Sequence, residues 1–178
     1  MALYHNRFIR WYVSWFMKLA LTRPGKWLMS NFTARLDPIV YRMTRGRLNS
    51  SGIILFPVLA LTTTGRKSGK KRTVQLAYVA FDDNAYLVAS NFGKDHHPAW
   101  MHNIEADPRV SVQLGSNHCD MTAEKLTEAE RALVWGKLVE EVPNFGLYEQ
   151  HSGRTLRVFR LPMPGIEATA VRSSAGPR

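Results

Sequence analysis

Five cations crowd into seven positions at Arg66-Lys67-Ser68-Gly69-Lys70-Lys71-Arg72, directly behind Thr62-Thr63-Thr64-Gly65. Residues of these types at this spacing can cradle an anion. Glycines let the backbone approach a ligand, hydroxyls and N–H groups donate hydrogen bonds, and Arg and Lys supply charge. The pattern departs from a Walker A loop, which needs Lys and then Ser or Thr after its second glycine; here Gly65 and Gly69 are only four apart and Lys70 is followed by Lys71. A solvated basic hairpin is the plainer alternative, and the segment alone is compatible with both.

A second cluster, Ser90-Asn91-Phe92-Gly93-Lys94-Asp95-His96-His97-Pro98-Ala99-Trp100-Met101-His102-Asn103, carries three histidines. His96 and His97 are adjacent, and no Cys or carboxylate pattern stands at ligand spacing, so no metal is expected. Pro98 opening a helix with Trp100 behind it reads instead as a helix N-terminus beside a loop. Such an end favours an anion, and an indole there can cover a flat ring. A structural Trp in the core is the commoner role for an isolated Trp.

Taken together, L-T-T-T-G-R-K-S-G-K-x-R-T, V-A-S-N-x-G, H-P-A-W-x-H-N-I and D-P-R-V-x-V-Q-x-G follow one another in an order that resembles the deazaflavin-dependent nitroreductase and quinone reductase family. The likeness is close over Leu59–Gly115 and looser through Arg131–Tyr148 and Arg157–Leu161. It implies a split β-barrel like that of flavin reductases, and reduced coenzyme F420 as cofactor. It also implies that Arg66, Lys67, Ser68 and Arg72 hold the phosphate and acidic polyglutamate tail, in a set that includes Thr64, Gly65, Val74 and Gln75. By the same resemblance Ser90 and Asn91 lie near the deazaflavin ring, and Ala99 and Trp100 flank it. Ser90 and Tyr148 are the implied catalytic residues, with Phe145 as a substitute for a substrate-facing tyrosine. The chain departs from the family after the serine: several relatives carry a basic residue or Gly-Tyr where Asn91-Phe92 stands.

The expected reaction is hydride transfer from reduced deazaflavin to a quinone or nitro compound. No acid–base dyad is visible, which suits a proton drawn from solvent, Ser90 or Tyr148. FMN in place of F420, and a non-catalytic carrier of F420 or another apolar ligand, are the alternatives. Charge alone also suits a nucleic-acid module, but no helix-turn-helix, zinc or RNA-binding signature accompanies it, and no nucleic-acid partner is expected.

The surrounding elements must position these residues. The chain carries 24 Lys and Arg against 14 acids, a net +10, with ordinary globular composition at 45% hydrophobic residues. Beyond the basic loop, the positive charge lies in Met1–Arg47, which holds nine basic residues and one acid, Asp37. Residues 5–21 have the spacing of an amphipathic helix, with Phe8, Trp11, Tyr12, Trp15, Phe16 and Leu19 on one side. Short helices are predicted at Lys26–Phe32 and Pro38–Thr44. The run Trp11–Leu21 is too short to span a bilayer and lacks a signal-peptide pattern, so the mature chain is expected to begin near Met1. An aromatic face flanked by cations suits an interfacial membrane helix as well as one packed on the barrel. The expected location is therefore cytoplasmic, with peripheral attachment to the inner membrane face as an extension. Cys119 is the only cysteine, which excludes an intrachain disulfide.

From Ile53 the period changes to that of strands, predicted at Ile53–Thr63, Arg72–Phe81, Ala85–Ser90, Val110–Leu114, Asn117–Leu126 and Leu156–Leu161. Asp82-Asp83-Asn84 makes a tight turn. Helices are predicted at Ala99–Ala106 and behind the Thr127-Glu128-Ala129-Glu130 capping box, the latter burying Ala132, Leu133, Trp135, Leu138 and Val139 until Val142-Pro143 ends it. The result is an α+β chain of mostly antiparallel strands with peripheral helices. It divides into a basic helical segment, 1–47, a cofactor-binding split-barrel domain, 48–162, and a flexible tail, 163–178.

Overall fold

Short β-branched and apolar runs separated by turn residues fold here into two antiparallel sheets. A computed structural model describes residues 57–115 and 117–164. The expectations for the N-terminal helices, the membrane-facing surface and the tail beyond residue 164 lie outside the described residues. The first sheet orders its strands β2-β1-β5-β6, from β1 (Val58–Thr64), β2 (Lys71–Ala77), β5 (Arg109–Leu114) and β6 (Asn117–Thr122). The second orders them β3-β4-β8-β7, from β3 (Val79–Phe81), β4 (Asn84–Val88), β7 (Glu124–Lys125) and β8 (Val158–Pro162). Three α-helices accompany them: α1 (Ala99–Ala106), α2 (Glu128–Glu141) and α3 (Asn144–Ser152).

Both sheets feed one core. Leu59, Leu61, Val110 and Val112 come from the first sheet, Ala85, Leu87, Phe159 and Leu161 from the second, and Trp100, Met101 and Ile104 from α1. Each fully buried Leu, Val or Phe contributes about 1.5–3 kcal/mol relative to an exposed one. The basic loop joins β1 to β2 in a register that pairs Thr64 with Lys71 and Thr63 with Arg72. Its sequence therefore hangs from the end of a central, buried strand.

The two predicted long strands each break. Arg72–Phe81 divides at Tyr78, whose buried ring and N–H bond to the Pro57 carbonyl (3.1 Å) mark the corner where the chain passes from the first sheet to the second. Asn117–Leu126 divides in the same way at Ala123, whose N–H reaches the Pro108 carbonyl at 2.9 Å. A period-2 pattern continues through such corners, because side chains keep alternating while the hydrogen-bond partners change. The predicted strand Ala85–Ser90 is shorter, ending at Val88. The two sheets make no closed barrel among the described residues.

Asp82 and Asp83 both have positive φ (51° and 55°), the geometry of a two-residue type I′ hairpin turn whose twist matches that of its strands. The capping box forms as predicted: Glu130 N–H donates to the Thr127 hydroxyl at 3.3 Å, and Thr127 N–H donates to the Glu130 carboxylate at 2.8 Å. The buried face of α2 differs from expectation. Leu138 is buried and Trp135 and Val139 are half-buried, but Ala132 and Leu133 are exposed. An inward position goes to Arg131, satisfied by the Leu156 carbonyl (2.9 Å) and the Glu149 carboxylate (2.5 Å). A reading that seeks apolar residues on the buried stripe passes over an arginine. Helix α3 is likewise absent from the prediction, since Leu147 on it is exposed and the apolar repeat is weak.

Candidate functional site

The basic loop is shaped by its backbone. Gly65 N–H donates to the Lys70 carbonyl at 2.9 Å, while Ser68 and Gly69 N–H donate to the Gly65 carbonyl at 3.1 and 2.8 Å. A Cβ on Gly65 would stand 2.7 Å from Ser68 Oγ and 3.1 Å from the Lys70 carbonyl, so a side chain there would crowd the turn. Arg66, Lys67, Ser68, Lys70, Lys71 and Arg72 are all exposed. Lys71 Nζ donates to the Thr64 hydroxyl at 3.1 Å. Among the described residues, Arg66, Lys67, Lys70 and Arg72 form no ion pair with a carboxylate. Four cations within seven positions, with no carboxylate partner among the described residues, concentrate positive charge. An arriving polyanion neutralises that charge and gains charge-assisted hydrogen bonds. Val74 and Gln75 continue β2 behind the loop, half-buried and paired with Leu61 and Ala60.

One side chain ties this loop to α1. Asn103, nearly fully buried, accepts from Arg66 N–H through Oδ1 (3.1 Å) and donates through Nδ2 to the Thr63 hydroxyl (3.0 Å). It thereby brings together two segments that are far apart in sequence. Asn103 belongs to the H-P-A-W-x-H-N-I motif, yet only its burial shows the bridging role. At the other end of α1 the N-cap is Pro98, which offers no side-chain cap, and Ala99 beside it is exposed. Trp100 follows Ala99 on the helix. It is only 7% exposed, with its ring edge-on to Phe159 at 5.6 Å between centroids. The indole anchors the helix in the core, and Ala99 is what the helix presents at its start.

The loop from Ala89 to His97 leads into α1. Asn91, Phe92 and Gly93 stand in succession at φ 49°, 55° and 70°, in the left-handed region. The Asn91 amide donates to the His96 carbonyl at 2.9 Å. The Ser90 hydroxyl, half-buried, makes no hydrogen bond among the described residues. Tyr148 reaches the same loop from α3: a Cβ on Gly93 would lie 3.1 Å from its ring. Burial pushes the Tyr148 phenol well above its ordinary pKa, so it keeps its proton throughout the physiological range. Phe145, one turn earlier, is buried.

Arg154 reaches the loop from the connection between α3 and β8. Its Nε donates to the Lys94 carbonyl (3.0 Å), its Nη2 to the Ser90 carbonyl (2.8 Å), and its Nη1 to the Ala89 carbonyl (3.2 Å) and His97 Nδ1 (2.8 Å). Burial, with the Arg154 charge next in weight, holds the His97 imidazole below its usual pKa. Nothing in the local sequence around Gly153-Arg154 signals this reach. Among the described residues no three His, Cys, Asp or Glu side chains gather as a metal site.

The sequence matches the family described as F420H(2)-dependent quinone reductase over residues 33–162. An F420H(2)-dependent quinone reductase of Mycobacterium tuberculosis is 36% identical over 138 residues, 76% of this chain and 88% of the relative. A solved F420-H2 dependent reductase, FDR-A, is 41% identical, aligns with 58% of this chain and 92% of its own, and superposes with a TM-score of 0.53. A further solved structure, described as a domain-swapped dimer, is 34% identical over 77% of this chain and 98% of its own, with a TM-score of 0.55.

Proposed function

We infer, for a chain that belongs to the F420H(2)-dependent quinone reductase family, that the unpartnered cations of the β1–β2 loop grip the phosphate and carboxylate tail of coenzyme F420. The chain is an F420-dependent oxidoreductase that reduces a quinone. One observation carries the assignment of residues: cations without carboxylate partners among the described residues, on a turn built around Gly65 and tethered by Asn103, match a ligand bearing several anionic groups. Each charge-assisted hydrogen bond so formed contributes about 1.5–3 kcal/mol.

When bound, the reduced deazaflavin supplies a hydride from its C5 position. The protein binds, orients and shields. Arg66, Lys67, Ser68 and Arg72 hold the tail, with Thr64 and Gly65 at the root of the loop and Val74 and Gln75 along the adjoining strand. Ser90 and Asn91 border the ring, and Ala99 closes it from the start of α1. Tyr148, kept protonated by burial, and the Ser90 hydroxyl are the groups able to deliver the proton that accompanies the hydride to the acceptor. We place the two sheets as the halves of a split barrel, with Tyr78 and Ala123 at its corners. A nitro compound is a further acceptor under this reading. A membrane quinone becomes the natural one where the basic N-terminal segment attaches to the inner membrane face. Flotation with anionic liposomes, with and without residues 1–25, tests that attachment.

Titrating the protein with F420 and, separately, FMN while following Trp fluorescence tests the cofactor assignment. Saturable quenching by F420 and not by FMN is the expected outcome. Oxidation of reduced F420 by menadione then tests turnover. A chain that binds F420 tightly but reduces no acceptor would be a carrier, and one that does neither would overturn the reading.

A further inference from the structure

Arg154 lies outside every motif that carries the family likeness, in the connection between α3 and β8. Yet three of its nitrogens engage four acceptors on one loop. That loop is the strained part of the site. Asn91 and Phe92 carry side chains at φ 49° and 55°, a conformation that costs an L-residue roughly 1–2 kcal/mol. The backbone offers little in return: Gly93 N–H to the Ser90 carbonyl (3.0 Å) and Lys94 N–H to the Asn91 carbonyl (3.1 Å). Such a shape persists only where its surroundings over-determine it. A guanidinium suits the task, because its five donors leave a planar fork in fixed directions, whereas an ammonium is a single point with rotating donors.

His97 makes the grip conditional. Its Nδ1 can accept from Arg154 only without a proton. The charged and titratable groups facing it are Arg154, Arg157 just before β8, and His102 and Glu105 of α1; burial and the first three favour the neutral ring, and Glu105 opposes them. On its own loop Asp95 and His96 pair with each other at 2.8 Å, both exposed. Protonation of His97 would set an imidazolium against the guanidinium and remove one of the four contacts.

Resting on the reading of this loop as the ring-side wall of the cofactor site, we propose that Arg154 is a positioning residue: it holds Ala89–His97 in the strained shape that presents Ser90 and Asn91, and His97 releases part of that hold in acid. An arginine that merely satisfies stray carbonyls would show no such dependence.

Amide hydrogen exchange on the full-length, cofactor-free chain tests this directly, with Gly93 and Lys94 as reporters and β4 amides as the internal reference. In Arg154→Lys the two reporters exchange about tenfold faster at neutral pH and F420 affinity falls about tenfold, the scale of one lost charged hydrogen bond. In the unaltered chain, reporter exchange corrected for its intrinsic pH dependence rises as pH falls through the His97 titration. His97→Asn, which keeps an acceptor near the Nδ1 position but cannot titrate, retains neutral behaviour and loses the acid limb. Unchanged reporters in Arg154→Lys would overturn the proposal, as would an acid limb that survives in His97→Asn. Should Arg154→Lys fail to fold, the His97→Asn profile decides alone. An unaltered chain that binds no F420 sinks the reading of the site, while the exchange data still judge the clamp.

Discussion

In the proposed cofactor site, Gly65–Arg72 and Ala89–His97 meet different demands. The first loop carries exposed cations on a turn tied to the rest of the domain by Asn103, the Lys71–Thr64 contact, and the pairing of Lys71 and Arg72 with β1. The second lacks a run of cations, holds three successive left-handed residues, and is bound by Arg154, Asn91 and Tyr148. A flexible, multiply charged tail needs charge density more than exact placement. A flat ring about to lose a hydride needs walls fixed to within a fraction of an ångström. Under the proposed reading, affinity resides mainly in the first loop and geometry in the second.

The largest expected effect tests the first half of that division. Replacing Arg66, Lys67 and Arg72 together with Glu should weaken F420 binding by roughly a thousandfold or more, taking about 1.5 kcal/mol per lost contact. The remaining affinity should lose its steep dependence on salt, while the urea midpoint stays near that of the unaltered chain. A large drop in stability would break the comparison. Glycine pairs probe the second half. Gly93→Ala combines φ +70° with a Cβ 3.1 Å from the Tyr148 ring, and should destabilise by about 3 kcal/mol in urea. Gly69→Ala, at φ +65° with nothing within 4 Å, should lose only about 1 kcal/mol. Equal losses would mean that the second loop is no more tightly built than the first.

Asn103 ties the first loop to α1, the helix that the second loop leads into, so its removal should register in stability and in binding. Asn103→Ala leaves Arg66 N–H and the Thr63 hydroxyl without their partner and should destabilise by about 2 kcal/mol. F420 affinity should fall as well, because the basic loop loses its tether. Leu133→Ser is the smallest effect: at 86% exposure the side chain should matter by less than about 0.5 kcal/mol. A larger change would show that this surface is covered in solution.

The first loop was legible because its chemistry is local. Two glycines, a serine and five cations in one short run suit an anion cradle or a solvated hairpin, and both readings come from neighbouring residues alone. The Asp82-Asp83 turn and the Thr127–Glu130 capping box were legible for the same reason: each is settled by residues within a few positions. The second loop was only half legible. Its motif could be quoted, but Arg154 arrives from more than fifty positions away, and no spacing rule connects it. Trp100 allowed a core role or an open one, and its contact with Phe159 comes from a strand that no local spacing links to it. Strand corners at Tyr78 and Ala123 escaped because alternation records which side a residue faces and says nothing of which strand it pairs with.

Those corners also bear on how the domain comes apart. Each carries one continuous stretch of chain from the first sheet into the second, at Tyr78 and again at Ala123. Neither sheet can then melt while the other stands, and residues 57–164 should unfold in one cooperative transition. Assembly is correspondingly late to be rewarded. Pairing β4 with β8 sets Val88 against Val158 and requires closing a loop that includes both α1 and α2. Such distant pairing places folding in the slow, millisecond-to-second range of small β-rich domains.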